Sequence, residues 1–458
     1  MKRLASILFL LLAFNSAHAA DLVVSNNAII VFFGDSWTID TSHSANVTGY
    51  RVVEYLHSYF ALNYPTSNIA MYNGGRSGTT MDITLTNSIQ KFGVPLWGYQ
   101  SNLFQKIGFL SMTDNGGLGT NEMVNAVSNA CLAPAVMSDG AFPLTTQSGY
   151  TATMRVQWVA VGEPPLEGSG PDTAQRTRNN ATTNAGWTFG ARGVDGWNTL
   201  SPSWFSDYTA NGGTNVEWFA SPGGHFASGG ALSWAMAIIK GITTDTNIST
   251  CTLDWNSSTP SATNHCVVSS IANSGSTLTF TRHDDRLPMA FDVADGIITN
   301  DAQGAFNLIP GDASYFHFDL QITNLPAGNY SVAIDGTTVA ASLSSTVLAS
   351  GWNMFTNYSG PYWNQRKEVL GRIRDQRYVN RVTLVSGSAG DQVGEIAYGS
   401  AGGTPWDAGA RGDLLIASNN AAVAKLQTNV TSVNFAATPT NHTFSITLNQ
   451  PRFAPFRR

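Results

Sequence analysis

The sequence predicts an α/β protein in which a parallel sheet covered by helices is followed by a β-rich region. Three observations carry this. Ala28 to Phe33 is a continuous apolar run ending at Gly34, as a strand buried on both faces should be. Short apolar runs recur at Ile69–Tyr72, Ile107–Met112, Val156–Val161 and Val216–Ala220, alternating with helical stretches. After residue 245 the pattern changes to short alternating segments broken by turn signals.

The elements follow in order. Lys2 and Arg3 precede an apolar run from Leu4 to Phe14, too short to span a bilayer, and Ala17-His18-Ala19 supplies small residues for cleavage. Residues 1–19 are therefore expected to be a signal peptide cleaved near Ala19, giving a secreted or periplasmic protein. No later run is long enough for an integral membrane segment. The first domain is expected over 20–245. Within it, Val52, Val53, Leu56 and Tyr59 mark a helix over 50–59, Pro164 and Pro165 stop the fourth strand, and Ala231–Ile242 reads as a buried helix. Residues 166–214 are polar and contain Trp187, Trp197 and Trp204. Such a stretch is either a lid or binding loop, or a surface insertion with its own small core.

A β-rich segment with a closing helix is expected over 246–385. Its strands lie at 276–281, 315–320 and 330–336, with Asp335-Gly336 as a hairpin signal and a helix over 362–379. Residues 386–458 form a β-rich tail of unassigned role with a strand at 443–448. The net charge of -6 carries no basic footprint for nucleic acid. The three cysteines are Cys131, Cys251 and Cys266. In an oxidising compartment Cys251 and Cys266 are expected to form a disulfide closing a loop of ~15 residues, worth roughly 3 kcal/mol. Cys131 is then left as a buried, inert thiol.

Four short motifs stand at the carboxyl ends of the expected strands, where open parallel sheets bind ligands. They are Gly34-Asp35-Ser36, Asn73-Gly74-Gly75-Arg76-Ser77-Gly78, Asp114-Asn115-Gly116-Gly117, and Gly224-His225-Phe226 with Gly230 before a helix. Singly, each also fits an ordinary turn or a structural histidine. In this order they resemble the SGNH/GDSL hydrolases. The resemblance implies a flavodoxin-like three-layer α/β/α domain. It makes Ser36 the nucleophile and His225 its base. The oxyanion would be held by the Ser36 and Gly75 N–H groups and the Asn115 amide. It implies carboxylic ester hydrolysis through an acyl-enzyme, with no cofactor and no metal.

Two positions depart from the family. Asp114 precedes Asn115 where the family has Asp following. Pro222 stands where the family's acid lies, three residues before His225. A Ser–His dyad, Glu163 or Glu217 is left to orient the imidazole. The ester substrate would be an acylated polysaccharide, stacked on some of the 12 tryptophans, or a lipid under a lid at 166–214. The rival outside catalysis is an inactive SGNH-fold surface-binding protein, for which Pro222 is the main support.

Overall fold

The computed structural model describes residues 21–34, 38, 51–73, 105–111, 119–136, 156–165, 173–210, 228–257, 259–291, 316–379 and 431–449. The first half holds strands β1 (Ile29–Phe33), β2 (Ala70–Asn73), β3 (Lys106–Ser111), β4 (Val156–Val161) and β5 (Arg192–Val194). They form one sheet in the order β2-β1-β3-β4-β5, and every pair is parallel. This is the flavodoxin-like order. Helices α1 (Val52–Asn63), α2 (Thr120–Val136), α3 (Thr173–Thr188), α4 (Gly196–Ala210) and α5 (Ser228–Ile242) accompany it.

Alternate strand residues divide between the two faces. Ile30, Phe32, Ile107 and Phe109 share one core with α1 and α5, where Phe32 stacks on Phe109 at 5.4 Å and meets the edge of Trp234 at 6.4 Å. Phe33 faces the other way and packs on Trp158 at 6.1 Å, on the side covered by α2 and α3. Trp158 lies across Gly108, where a side chain would collide with its ring. The layers are thus α/β/α.

Within 166–214, expected to be a lid or a surface insertion, residues 173–210 are described. They fold as helix, strand and helix, and β5 completes the sheet at its edge. Trp197 and Trp204 are buried, while Trp187 lies on the surface beneath Arg192 at 5.9 Å. The strand expected at 216–220 lies outside the described residues.

The second half contains β6 (Asn247–Asp254), β7 (Pro260–Asn264), β8 (Cys266–Asn273), β9 (Thr277–Asp284), β10 (His317–Thr323), β11 (Asn329–Ile334), β12 (Thr337–Ser344), α6 (Ser345–Ser350), β13 (Trp352–Asn353), α7 (Gly360–Val379) and β14 (Asn441–Leu448). They make two sheets, β13-β10-β6-β7 and β12-β11-β14-β9-β8. Asp335 and Gly336 both have positive φ, 49° and 78°, as the tight β11–β12 hairpin requires. β14 lies between β11 and β9, so the segment after 385 and the segment before it share one sheet.

Arg282 on β9 joins the two sheets. Its five N–H donors reach Asp284 Oδ1 (2.7 Å), Cys251 Sγ (3.3 Å), the Asp319 carbonyl (3.0 Å), and the Ser249 carbonyl (3.0 Å) and hydroxyl (2.9 Å). Tyr362 and Ser249 also donate to Asp284. This network accounts for a correction: Cys251 and Cys266 are separate thiols, not a disulfide. They are hydrogen-bonded to each other, Cys251 accepts from Arg282, and Cys266 donates to the Thr250 carbonyl at 3.3 Å. The bond that Cys251 donates to Cys266, together with burial, holds the Cys251 thiol well above its ordinary range. Burial pushes Cys131 up to about 11, so it stays protonated.

The two halves meet along α1, all twelve residues of which are buried. Glu54 accepts from the Arg51 N–H at 3.0 Å and closes its first turn. One side of α1 contributes to the core beneath the sheet. The other receives α7 and the segment 287–291: Leu287 N–H donates to the Leu62 carbonyl (2.9 Å) and Ala290 N–H to Ser58 Oγ (3.0 Å). Arg366 of α7 ties the same segment down through the Met289 carbonyl (2.7 Å), ringed by Phe291, Phe355 and Trp363.

His57 makes this seam acid-sensitive. Among the described residues its Nε2 has no hydrogen-bond partner, and burial pushes the imidazole from 6.5 down to about 4. Between those values the unfolded chain binds the proton and the folded one does not. Stability therefore falls as pH drops through this window, by up to ~3 kcal/mol, and is unaffected by His57 above it. A His57→Gln variant is expected to show a smaller loss of Tm between about pH 7 and about pH 4.5. An equal loss in variant and wild type would show that His57 does not set the acid limb.

Candidate active site

The described residues supply the roots of the site, at the carboxyl ends of β1 to β4. β1 delivers Gly34, where a Cβ would collide with Thr38 Oγ1 and lie 2.6 Å from the Ser111 carbonyl oxygen. Only glycine lets the chain turn this tightly against both neighbours. Thr38, four residues after Gly34, is fully buried, and its carbonyl accepts from Asn73 Nδ2 at 2.9 Å. Asn73 ends β2 in register with Phe32, and Ser111 ends β3 fully buried. Gly34 and Thr38, which flank Ser36 in sequence, are thus packed on the β3 side and hydrogen-bonded on the β2 side, respectively.

β4 leads into Gly162 and Glu163. Gly162 N–H donates to the Val194 carbonyl at 2.8 Å, and a side chain there would strike Asn179. The Glu163 side chain is fully buried and paired at two points with Arg178, at 2.9 and 3.3 Å. Asn179 donates to Asp195 at 2.9 Å and accepts from Trp197 N–H at 3.1 Å. Asp195 in turn accepts from Asn198 N–H at 2.9 Å, capping α4. This polar seam fixes β4, β5 and α4 to one another.

Ser36, Gly75, Asn115 and His225 lie outside the described residues, as do Pro222 and Glu217. The structure brings together what flanks the first three: Gly34 and Thr38 around Ser36, Asn73 before Gly75, and Ser111 before Asn115. α5 begins at Ser228, three residues after His225. Two participants carried no sequence signal. Thr38 acts through its backbone carbonyl, which no residue type advertises. Arg178 is one cation on a polar helix, identifiable only once Glu163 is seen beside it. Among the described residues no group of three or more His, Cys, Asp or Glu side chains could hold a metal ion. Among them too, no helix is long and apolar enough to cross a membrane.

The fold has a known counterpart. The chain superposes on BT4096, a gut microbial diltiazem-metabolizing enzyme, with a TM-score of 0.62 and 13% identity, over 94% of this chain and 100% of that one. The likeness extends through both halves, so the β-rich region belongs to the shared architecture. Shorter structures align with 48% of the chain. A GDSL-like lipase from Parabacteroides merdae does so over 98% of its own length at TM-score 0.36 and 12% identity. Axe2, an acetylxylan esterase from Geobacillus stearothermophilus, does so over 97% at 0.33 and 15%. The sequence itself matches no family model and no curated protein.

Proposed function

We propose that this chain is an exported serine esterase of the SGNH/GDSL type. The observation that carries this is the anchoring of Gly34 and Thr38, the residues that flank Ser36 in sequence, against Ser111 of β3 and Asn73 of β2 at the carboxyl end of a central strand. A serine that follows β1 by three residues in sequence comes just after a strand's carboxyl end, where open parallel sheets bind ligands. In sequence, the motifs for the oxyanion donors follow β2 and β3, and the motif for the base precedes α5. BT4096 metabolises diltiazem, so the same fold houses an enzyme in that chain.

In this mechanism His225 takes the Ser36 proton as Oγ attacks the ester carbonyl. The Ser36 and Gly75 N–H groups and the Asn115 amide hold the oxyanion. His225 then gives the proton to the departing alcohol, and water repeats the cycle to release the acid. Glu163 contributes little charge to the imidazolium, because Arg178 already matches it. A Ser36–His225 dyad, or Glu217, is left to stand in for the acid that Pro222 replaces. The preferred substrate is an acylated polysaccharide, with a lipid ester as the second choice.

Incubation with a fluorophosphonate probe tests this directly. The wild type is expected to be labelled, and Ser36→Ala and His225→Ala to lose labelling. A folded wild type that resists the probe would favour the non-catalytic, surface-binding role instead. Acetate release from acetylated xylan against fatty-acid release from a lipid ester then separates the two substrate classes.

A further inference from the structure

Cys251 and Cys266 belong to different sheets, one on β6 of the four-stranded sheet and the other on β8 of the five-stranded one. Their sulfurs are nonetheless hydrogen-bonded to each other, and each is held from another side as well. Arg282 donates to Cys251 Sγ at 3.3 Å, and Cys266 Sγ donates to the Thr250 carbonyl at 3.3 Å. The guanidinium is the unusual member of this group. It is fully buried, yet it directs a donor at a thiol sulfur, a weak acceptor. Its carboxylate partner is shared, since Asp284 also accepts from Tyr362 and Ser249. A buried cation aimed at a pair of sulfurs is better matched when those sulfurs carry negative charge.

We propose that Cys251 and Cys266 form a two-coordinate site for a soft d10 monovalent cation of the copper(I) or silver(I) class. The site is separate from the esterase centre and independent of that function. Soft ions select thiolate sulfur over oxygen donors. Two thiolates satisfy such an ion in a linear S–metal–S arrangement, and sulfurs in hydrogen-bonding contact need only part slightly to admit it. Zinc would require four ligands. Asp284 cannot supply one, because its oxygens are engaged by Arg282, Ser249 and Tyr362. Among the described residues no larger group of His, Cys, Asp or Glu is assembled for a metal ion either. Binding breaks the two S–H bonds, forms two S–metal bonds and releases two protons. The complex then carries one negative charge, and the Arg282 N–H already lying on Cys251 Sγ becomes a charge-assisted donor to it. The ion enters beside Cys266, which begins the edge strand β8 and is 6% exposed against 2% for Cys251. Once bound, it ties the two sheets to each other.

The test titrates silver nitrate into the full-length protein in chloride-free buffer, followed by calorimetry and by thermal melting. One silver ion per chain is expected, with Tm raised by roughly 5 °C when free silver is about 100-fold above Kd. Cys251→Ser and Cys266→Ser are each expected to weaken binding by more than about 100-fold, beyond what the loss of an outer contact costs. Cys131→Ser is expected to bind like the wild type. If either variant fails to fold, the X-ray absorption fine structure of the silver-loaded wild type reads the ligands directly, and a shell of two sulfurs is expected. The proposal is overturned by the absence of stoichiometric binding, by binding that survives in both cysteine variants, by a loss confined to Cys131→Ser, or by a shell of oxygen and nitrogen. It is overturned equally if the protein, purified without reductant and then unfolded, shows one reactive thiol rather than three, because the pair would then be a disulfide.

Discussion

A chain ending at residue 440 is expected to lose the folded β-rich half altogether. β14 is the last strand in sequence but a central one in space. It pairs with β9 over Asn441–Thr447 and with β11 over Phe444–Leu448. Phe444 and Ile446 are fully buried, and Phe444 stacks on Phe280 at 4.8 Å. Burying two such side chains is worth about 1.5–3 kcal/mol each, before the two ladders of hydrogen bonds are considered. Their removal leaves two open strand edges in the middle of a sheet. The expected result is loss of the near-ultraviolet dichroism of this half, rapid proteolysis within 247–379 and aggregation. A truncated chain that melts like the full one would mean that β14 is dispensable. The same placement delays folding, since β9 and β11 wait for a partner more than a hundred residues away.

Arg282→Ala is expected to cost about 3–5 kcal/mol, the usual penalty for stranding one member of a buried ion pair. Arg282 and Asp284 are both fully buried, so Asp284 would be left without its counter-charge in the interior. Asp284 would keep the Tyr362 and Ser249 hydroxyls as donors but lose its counter-charge. The carbonyls of Ser249 and Asp319 would lose a donor in the same step. Tm should fall by roughly 10 °C or more. The double variant Arg282→Met with Asp284→Leu is expected to recover much of the loss, because it removes both charges and fills the space. A single variant that melts normally, or a double variant worse than the single, would show that the network is not what joins the sheets.

Much of this architecture was legible in the sequence, for reasons that also explain what was not. β1 to β4 are buried on both faces or nearly so, and their runs of Ile, Val, Phe and Ala state it directly. The Asp335-Gly336 hairpin was legible because only a few residue pairs tolerate two positive φ angles. β5 was hidden because it is three residues long and contains an arginine and a glycine. α3 was hidden because it buries Gln175, Asn179 and Thr182, so that polar side chains occupy inward positions where apolar ones would mark a helix. The position of β14 could not be read from its own residues, since pairing partners lie far away in the chain. The cysteines misled because spacing and compartment say nothing of a neighbouring arginine that uses the sulfur as an acceptor. At the site itself, residue types announced the motifs, while the contact between Asn73 and Thr38 ends on a backbone carbonyl and leaves no trace in the sequence.

Because α1 is enclosed on all sides, it belongs to neither half alone. The sheet needs its inner side, and the segment 287–291 and α7 need its outer one. Such a shared wall ties the histories of the two regions together. A recombination event that exchanged the β-rich half for an unrelated module would leave Ser58, Tyr59 and Asn63 facing a stranger, so descendants of this chain should inherit both regions together or acquire a new surface on α1 when they part.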